Sequence, residues 1–334
     1  MNTLPWHTLP RTTLGHYPTP LEPLDRLSHE LGGPRIWVKR DDCTGLATGG
    51  NKTRKLELLI GDALEQGADT LITFGAVQSN HARQAAAACA KAGLACHLIL
   101  TKRVSRNNPN YGDGGNVLLG RLLGARQHII ESDQAKDYFK DLQKSLTASG
   151  KKTYVVPAGG SNALGALGYA SCAEELTQQC DALGISPGHM VHASASAGTQ
   201  AGLLAGLEQV GLDCHVLGIN VYHDDPSKLE SRIRELLAEI YASFIEGKKA
   251  PFEKIDVNHA YFGEGYGQPT EQCLEAIKTL AELEGLLFDP VYSGKALAAM
   301  IDQVTLGNFR DSNDVILIHT GGTPALNVYA EAFV

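Results

Sequence analysis

The sequence predicts an α/β fold in which mostly parallel sheets carry helices on both faces. Short runs rich in valine, isoleucine and leucine alternate with helix-like stretches of about 10–20 residues, and this alternation is typical of parallel sheets. Polar or glycine-rich loops follow several of the strand-like runs. The 334 residues are enough for one large domain or two. Because no linker rich in proline, glycine or serine divides them, we expect any second domain to be an insertion.

The elements can be assigned in chain order. Residues 1–35 are predicted to form an arm with turns, because Pro18 and Pro20 exclude helix around them. Strands are predicted at 36–39, 70–74, 97–100, 128–130, 154–156, 190–193, 216–221 and 315–319. Helices are predicted at 81–92, 116–124, 164–180, 227–246 and 268–285. Further helices are predicted to begin at 52 and after 295, and two others are predicted to end at 150 and 210.

Composition excludes several classes of function. The net charge of −8 disfavours nucleic acid and anionic membrane surfaces as partners. No run approaches the roughly 20 apolar residues needed to cross a bilayer, and the N-terminus does not resemble a signal peptide. The seven cysteines contain no C-x-x-C pair, so we expect reduced thiols in a cytoplasmic protein and no metal site.

Lys52 lies between a glycine-rich loop and a predicted helix. Gly49 and Gly50 shortly precede it, and glycines there permit a sharp turn or close approach to a ligand. The positive end of the helix would push a nearby lysine toward the neutral amine, the form that makes a Schiff base with a carbonyl. The alternative is an ordinary solvated lysine in the first turn of a helix.

A polar loop follows the predicted strand 70–74. Its side chains offer amide, hydroxyl and imidazole groups that could meet one ligand; they are Gln78, Ser79, Asn80 and His81. As an alternative, the same residues would cap the following helix.

A second loop, 194–202, consists of small residues between the strand at 190–193 and a helix. Backbone N–H groups there, with the hydroxyls of Ser196 and Thr199, would hold a phosphate. The alternative is a tight turn with close helix–strand packing. The chain contains neither a P-loop nor a dinucleotide-binding fingerprint, which disfavours a nucleotide-dependent enzyme.

Two tyrosines and a threonine complete the candidate set. Tyr266 and Tyr292 lie in glycine-flanked loops, and Thr320 follows the last strand. Each tyrosine could equally be a core residue with its hydroxyl paired. Together, the loops supply an amine, a phosphate cradle, polar groups and aromatic faces. Pyridoxal 5′-phosphate (PLP), a small phosphorylated aldehyde that needs a lysine, fits that description.

The chain resembles the D-cysteine desulfhydrase / 1-aminocyclopropane-1-carboxylate (ACC) deaminase family of fold type II PLP enzymes, which are similar to tryptophan synthase β. The match runs over almost the whole length. It rests on the motifs Val38-Lys39-Arg40-Asp41-Asp42, Gly49-Gly50-Asn51-Lys52, Gln78-Ser79-Asn80-His81, Ala197-Gly198-Thr199, Asp289-Pro290-Val291-Tyr292 and His319-Thr320-Gly321-Gly322.

The resemblance implies a fold of two three-layer domains, each an open twisted, mostly parallel sheet, with PLP in the cleft between them. Residues 1–48 and 162–334 would form the large PLP-binding domain, and residues 49–161 a small inserted α/β domain. Family members are commonly homodimers, so a homodimer is expected here.

The resemblance also implies roles for the matching residues. Lys52 would bind the cofactor covalently and move protons, and Tyr292, Tyr266 and Ser79 would join it in catalysis. Tyr292 would stack on the cofactor ring, and Tyr266 would face the substrate. The other cofactor contacts would be Asn80 at the ring hydroxyl, Ser196, Ala197, Gly198 and Thr199 at the phosphate, and Thr320 near the pyridine nitrogen. The substrate carboxylate would meet Ser79 with the flanking Gln78 and His81.

Two positions separate the branches of the family. ACC deaminases carry glutamate after the ring-stacking tyrosine and leucine before the final Gly-Gly, whereas this chain has Ser293 and Thr320. The difference indicates the sulfur-eliminating branch. A neutral hydroxyl near the pyridine nitrogen leaves that nitrogen unprotonated, which suits expulsion of a β leaving group.

The predicted function is therefore a PLP-dependent carbon–sulfur lyase that releases pyruvate, ammonia, and sulfite or sulfide from a cysteine-type amino acid. Lys52 or a tyrosinate would remove the α-proton. The segments 37–47, 50–55, 264–267 and 292–295 resemble L-cysteate sulfo-lyases, which favours L-cysteate over D-cysteine as the substrate. ACC deaminase is the next alternative, and a non-catalytic protein that binds a phosphorylated metabolite is the alternative from another class. The sequence does not fix which enantiomer is bound.

Overall fold

The computed structural model describes residues 4–106 and 108–334, and it confirms the α/β fold with two mostly parallel sheets. The strands are β1 (Leu21–Pro23), β2 (Arg35–Lys39), β3 (Thr70–Ala76), β4 (Ala95–Thr101), β5 (Arg126–Ile130), β6 (Thr153–Val156), β7 (Pro187–Ser194), β8 (His215–Asn220), β9 (Asp256–Asn258) and β10 (Asp314–Ile318).

Eleven α-helices occur in the described ranges. They are α1 (Asp25–Leu31), α2 (Lys52–Glu65), α3 (Asn80–Ala92), α4 (Pro109–Asp113), α5 (Gly115–Leu122), α6 (Ala135–Ala148), α7 (Ala163–Leu183), α8 (Gly198–Val210), α9 (Pro226–Phe244), α10 (Glu271–Glu284) and α11 (Ser293–Thr305).

The large sheet has six strands in the order β1-β2-β10-β7-β8-β9, and the small sheet has four in the order β5-β4-β3-β6. Every pair of neighbours is parallel except β1 and β2. The chain enters the small sheet after β2 and leaves it after β6, so its strands are inserted between those of the large sheet. The predicted boundaries at 48/49 and 161/162 stay a prediction.

Both faces of the large sheet are buried, and β10 shows how its sequence achieves this. Successive strand residues point to opposite faces. Ile316 and Ile318 pack with α7, α8 and α9, while Val315 and Leu317 pack with α10 and α11 on the other face. All four are at most 1% exposed. Burying such a side chain contributes about 1.5–3 kcal/mol, which explains an apolar run without alternation.

The small sheet is covered by α2 and α3 on one face and by α6 on the other. Leu59 and Ala86 pack with Leu98 of β4 in one apolar core. On the opposite face, Phe74 contacts Phe139 of α6, with ring centroids 5.2 Å apart. No helix in the described ranges has the length and apolar character to cross a membrane.

The prediction for residues 1–35 was incomplete, because this segment contains β1 and α1 as well as turns. β1 has three residues and ends at Pro23, which lacks an N–H donor and suits an edge strand. α1 has seven residues, of which one, Leu27, is buried. β9 was also not predicted and again has three residues. Elements this short carry no detectable period.

Candidate active site

A cavity of about 500 Å³ opens among loops that follow strands of both sheets. Residues after β3, β4, β6, β7, β8 and β10 line it. In parallel α/β sheets the carboxyl ends of strands are where ligands bind. The cavity contains nearly all the residues that the sequence singled out, namely Lys52, Ser79, Asn80, His81, Ser196, Ala197, Thr199, Tyr266, Tyr292 and Thr320.

The loop before Lys52 is held by contacts that require glycine. Gly49 has φ +68°, and a Cβ on it would lie 1.7 Å from the carbonyl oxygen of Asp42. The Nη1 of buried Arg83 donates to the carbonyl of Gly49 at 2.5 Å. The N–H of Asn51 donates to the carbonyl of Thr320 at 3.1 Å, which ties the loop to the end of β10. Lys52 therefore leaves a fixed backbone.

Lys52 is the first residue of α2, and its amine faces the cavity. Burial lowers the pKa of Lys52 to about 8. At neutral pH an appreciable share of the amine is then uncharged, the form that attacks a carbonyl. A lowered pKa was predicted from the positive end of the helix, whereas in the structure it comes from loss of solvent around the amine.

Ser79 and Asn80 begin α3 at the cavity wall. The Oγ of Ser79 accepts from the N–H of Ala82 at 3.2 Å, so Ser79 is the N-cap of the helix as well as a lining residue. The Oδ1 of Asn80 accepts from the Nδ2 of Asn116 at 2.9 Å, which orients its amide. The unpaired N–H groups at the start of a helix favour a bound carboxylate.

His81 is neutral, and its tautomer can be assigned. The hydroxyl of Thr73 donates to the carbonyl of Val156 at 2.8 Å, so it must accept from Nε2 of His81, also at 2.8 Å. The Nδ1 of His81 then carries a lone pair and has no partner among the described residues. Burial, followed by the charges of Lys52 and Lys55, holds the pKa of His81 well below its usual value.

The loop between β7 and α8 forms a cradle of anion-binding groups. Ala197 has φ +68°, an unusual value outside glycine, and directly precedes the first turn of α8. The hydroxyls of Ser196 and Thr199 line the cavity. The Oγ1 of Thr199 accepts from the Nδ2 of Asn51 at 3.2 Å, so the cradle contacts the loop that carries Lys52. The start of α8 supplies free N–H groups.

Lys55, which was not predicted as a site residue, lies behind this cradle. It is fully buried, and its Nζ donates to the Oγ of Ser161 at 3.0 Å. The Ser161 hydroxyl is 2.8 Å from that of Ser196. A Cβ on Gly198 would lie 2.8 Å from the Lys55 amine, so the absence of a side chain there lets the amine approach the cradle. Burial and the nearby charge of Lys52 hold the pKa of Lys55 well below its usual value.

Tyr266 and Tyr292 meet across the cavity through a hydrogen bond between their hydroxyls. The N–H of Tyr292 donates to the Oδ1 of Asp289 at 2.8 Å, which fixes its backbone at the start of α11. Burial raises the pKa of both phenols, and for Tyr292 the neighbouring Tyr266 raises it further. Both tyrosines are therefore neutral at ordinary pH, which argues against a tyrosinate as the base.

Three predicted or discussed positions do not reach the cavity wall. The Nε2 of Gln78 donates to the carbonyls of Tyr111 and Gly114, and its Oε1 accepts from the N–H of Asn116. Its amide is thus paired inside the protein, and a contact of Gln78 with the substrate stays a prediction. Gly198 lies behind the cavity surface, against Ser161 and Lys55. Ser293 donates to Asp289 at 2.6 Å, so of the two positions that separate the family branches, Thr320 is the one that lines the cavity.

Several other residues that line the cavity were not predicted from the sequence. They are Arg103 after β4, Ser161 after β6, Ser194 at the end of β7, Tyr222 and His223 after β8, and Arg232 of α9. Most directly follow a strand, so applying the strand-end rule to every predicted strand would have found them.

The side chains fit PLP on chemical grounds. A lysine with a pKa of about 8 supplies the amine for its aldehyde. The cradle of Ala197, Ser196 and Thr199, backed by the Lys55 amine, supplies hydrogen-bond donors for its phosphate. Ser194 Oγ, at the cavity wall, and His81 Nδ1 are buried polar atoms without partners among the described residues. Buried polar atoms are rarely left unpaired, which favours a polar ligand there.

A sequence profile of the family described as pyridoxal-phosphate dependent enzymes matches residues 12–321. The chain belongs to this family. PLP is therefore its cofactor, as the sequence predicted. That Lys52 and the Ser196–Thr199 cradle hold it stays a prediction, which the geometry of the cavity fits.

Relatives within the PLP-dependent family match over nearly their full length. The D-cysteine desulfhydrase of Serratia proteamaculans (strain 568) is 46% identical over 321 residues, which is 96% of each chain. That of Salmonella choleraesuis (strain SC-B67) is 44% identical over 333 residues, covering 98% of this chain and 99% of the relative. A solved structure of an ACC deaminase homologue is 33% identical, with a TM-score of 0.87, and covers 98% of this chain and 97% of that one. The predicted family resemblance and type II fold are confirmed.

Proposed function

We propose that this PLP-dependent enzyme is a carbon–sulfur lyase that eliminates the β-substituent of a cysteine-type amino acid, with D-cysteine as the first candidate substrate. The observation that carries the proposal is the cavity that joins Lys52, the phosphate cradle and the start of α3. The full-length similarity to D-cysteine desulfhydrases supports D-cysteine. The L-cysteate preference predicted from the sequence is not confirmed, and L-cysteate becomes the second candidate.

Bound PLP supplies an electron-withdrawing ring for the amino acid, which makes its α-proton acidic. The protein's own groups then divide the remaining work. The Ser79 hydroxyl and the N-terminal end of α3 would hold the substrate carboxylate. Lys52 would take the α-proton, since its lowered pKa of about 8 makes it a base close to neutral pH. The neutral Tyr266–Tyr292 pair would give a proton to the departing sulfur.

The overall change balances with one water. Cysteine and water give pyruvate, ammonia and hydrogen sulfide, and cysteate and water give pyruvate, ammonia and bisulfite. Thr320 lines the cavity with a neutral hydroxyl, whereas ACC deaminases carry leucine at this position. The difference supports assignment to the sulfur-eliminating branch. A homodimer and a cytoplasmic location stay predictions.

The test is product release from the purified, PLP-loaded protein with D-cysteine, L-cysteine, L-cysteate and ACC in parallel. Pyruvate with sulfide from D-cysteine is the expected result. Pyruvate with sulfite from L-cysteate alone would make the protein a sulfo-lyase. Turnover of ACC alone would contradict the assignment to the sulfur-eliminating branch, and a protein that binds PLP but converts none of the four would refute the proposed substrate class.

A further inference from the structure

Among the described residues, three cationic side chains line the cavity and no carboxylate does. The cations are Lys52, Arg103 and Arg232. This is unexpected in a chain with 37 acidic residues against 29 lysines and arginines. A cleft lined by one sign of charge concentrates ligands of the opposite sign. The cavity therefore suits a ligand that carries more than one negative charge.

Two of the three cations already have a function or a partner. Lys52 is the proposed cofactor lysine. Arg232 pairs with Glu235 at 2.9 Å and Glu239 at 3.7 Å, and its Nη2 lies 3.3 Å from the carbonyl of Ser161. Its charge is thus balanced by its own helix.

Arg103 is different, because its described contacts include no carboxylate. It follows β4, is exposed, and its guanidinium lies 5.1 Å from the ring centroid of Tyr222, which follows β8. The contact therefore joins loops of the two sheets across the cavity. Stacking on an aromatic ring positions a guanidinium while leaving the N–H groups in its plane free for an anion.

Tyr222 connects Arg103 to the centre of the cavity. Its ring meets that of Tyr266 edge-on, with centroids 4.9 Å apart, and Tyr266 is hydrogen-bonded to Tyr292. Arg103 thus lies at the outer end of an aromatic row whose inner end is the proposed proton donor for the leaving group. The substrate α-carboxylate would already be held at Ser79, so Arg103 remains for a second anion.

We propose that Arg103 binds an anionic group on the β-substituent of the substrate, and that it extends the substrate class from cysteine to amino acids with a β-sulfonate. The proposal rests on the proposed β-elimination. A sulfonate presents three acceptor oxygens to the fork of N–H donors on a guanidinium, whereas a thiol presents no comparable set. Arg103 is then a specificity-determining residue, not a proton donor or base.

The test compares Arg103→Met with Lys102→Met. Lys102 is the neighbouring exposed cation, its Nζ is 2.7 Å from Glu131, and it does not line this cavity. Both changes remove one positive charge from the same segment. The quantity measured is the ratio of kcat/KM for cysteate to that for cysteine of the same enantiomer. Loss of a charged hydrogen bond should lower this ratio at least about tenfold in Arg103→Met. Lys102→Met should keep the wild-type ratio.

A fall of the same size for cysteine and cysteate would overturn the proposal, because it would place Arg103 at the α-carboxylate that both substrates share. Unchanged kcat/KM values for both substrates would overturn it as well, because Arg103 would then take no part in binding either. Arg103→Lys offers a further check: it keeps the charge but loses the planar fork, so its ratio should fall between those of the wild type and Arg103→Met.

A binding measurement separates this proposal from the proposed activity. 3-Sulfopropanoate carries the carboxylate and sulfonate of cysteate but no amine, and propanoate lacks the sulfonate. Calorimetry on the PLP-loaded protein should show that the wild type binds 3-sulfopropanoate more tightly than propanoate. Arg103→Met should lose that preference. If neither cysteine nor cysteate is converted, the β-elimination fails while this measurement still decides the role of Arg103. The proposed role of Arg103 would be overturned if Arg103→Met kept the preference for 3-sulfopropanoate, or if the wild type had no such preference.

Discussion

Lys55→Met should raise the stability of the protein without PLP and lower its affinity for PLP. Lys55 is fully buried, its described hydrogen-bond partner is the neutral Ser161, and burial holds its pKa well below the usual value. A buried amine without a counter-charge costs stability, so an apolar side chain of similar length should raise the melting temperature of the apoprotein. In the holoenzyme the same amine would face the phosphate. Losing a charge-assisted hydrogen bond of about 1.5–3 kcal/mol would weaken PLP binding roughly 10- to 100-fold.

The assay is a PLP titration followed by absorbance, together with thermal unfolding of the apo and loaded proteins. Lys91→Met is the matched control, since Lys91 lies on the exposed side of α3 and donates to a backbone carbonyl. Lys91→Met should keep the wild-type PLP affinity, and it should not raise the melting temperature of the apoprotein as Lys55→Met does. An apoprotein destabilised by Lys55→Met with unchanged PLP affinity would refute the reasoning, because Lys55 would then be a packing residue.

The remaining predictions concern Lys52 and the tyrosine pair. Lys52→Ala should abolish both turnover and the absorbance near ~400–430 nm that lysine-bound PLP gives; retained turnover would contradict the assignment of Lys52. Tyr292→Phe should keep PLP binding and lower kcat. An unchanged kcat would show that Tyr292 is not a catalytic group. The folded pKa of Lys52, about 8, lies below its usual value of 10.5, so the unfolded chain binds more protons between these pH values. Apoprotein stability should therefore rise with pH across this window more steeply in the wild type than in Lys52→Met, as measured by denaturant unfolding; parallel profiles would show that the amine is not desolvated.

The sequence predicted best where a pattern reflects burial or backbone geometry. The apolar run of β10 identified a strand covered on both faces. The two glycines before Lys52 marked a turn in which Gly49 leaves no room for a Cβ. Such signals are local, because neighbouring residues share the same strand or turn.

The sequence predicted less where a role depends on distant segments. Lys55 is one helical turn beyond Lys52, yet its position behind the cradle exists only because Ser161 and Gly198 fold against it. Gln78 is adjacent to Ser79 in sequence, but Ser79 caps α3 while the amide of Gln78 is used by the backbone around α4 and α5. Adjacency in a motif therefore does not ensure that two side chains meet the same ligand.

The polar groups around Lys52 indicate that cofactor binding and folding stability are coupled. Burial lowers the pKa of His192 to about 4, and its Nε2 has no partner among the described residues. Nδ1 of His81 and Oγ of Ser194 also have no hydrogen-bond partner among the described residues. The amines of Lys52 and Lys55 are desolvated as well. Unpaired buried polar groups cost about 1–3 kcal/mol each. A dianionic phosphate at the cradle would offset part of this cost, and a ligand that binds only the folded state stabilises it. The features that prepare the site for PLP are thus those that make the apoprotein the less stable form, which is why replacing Lys55 should stabilise the apoprotein while weakening PLP binding.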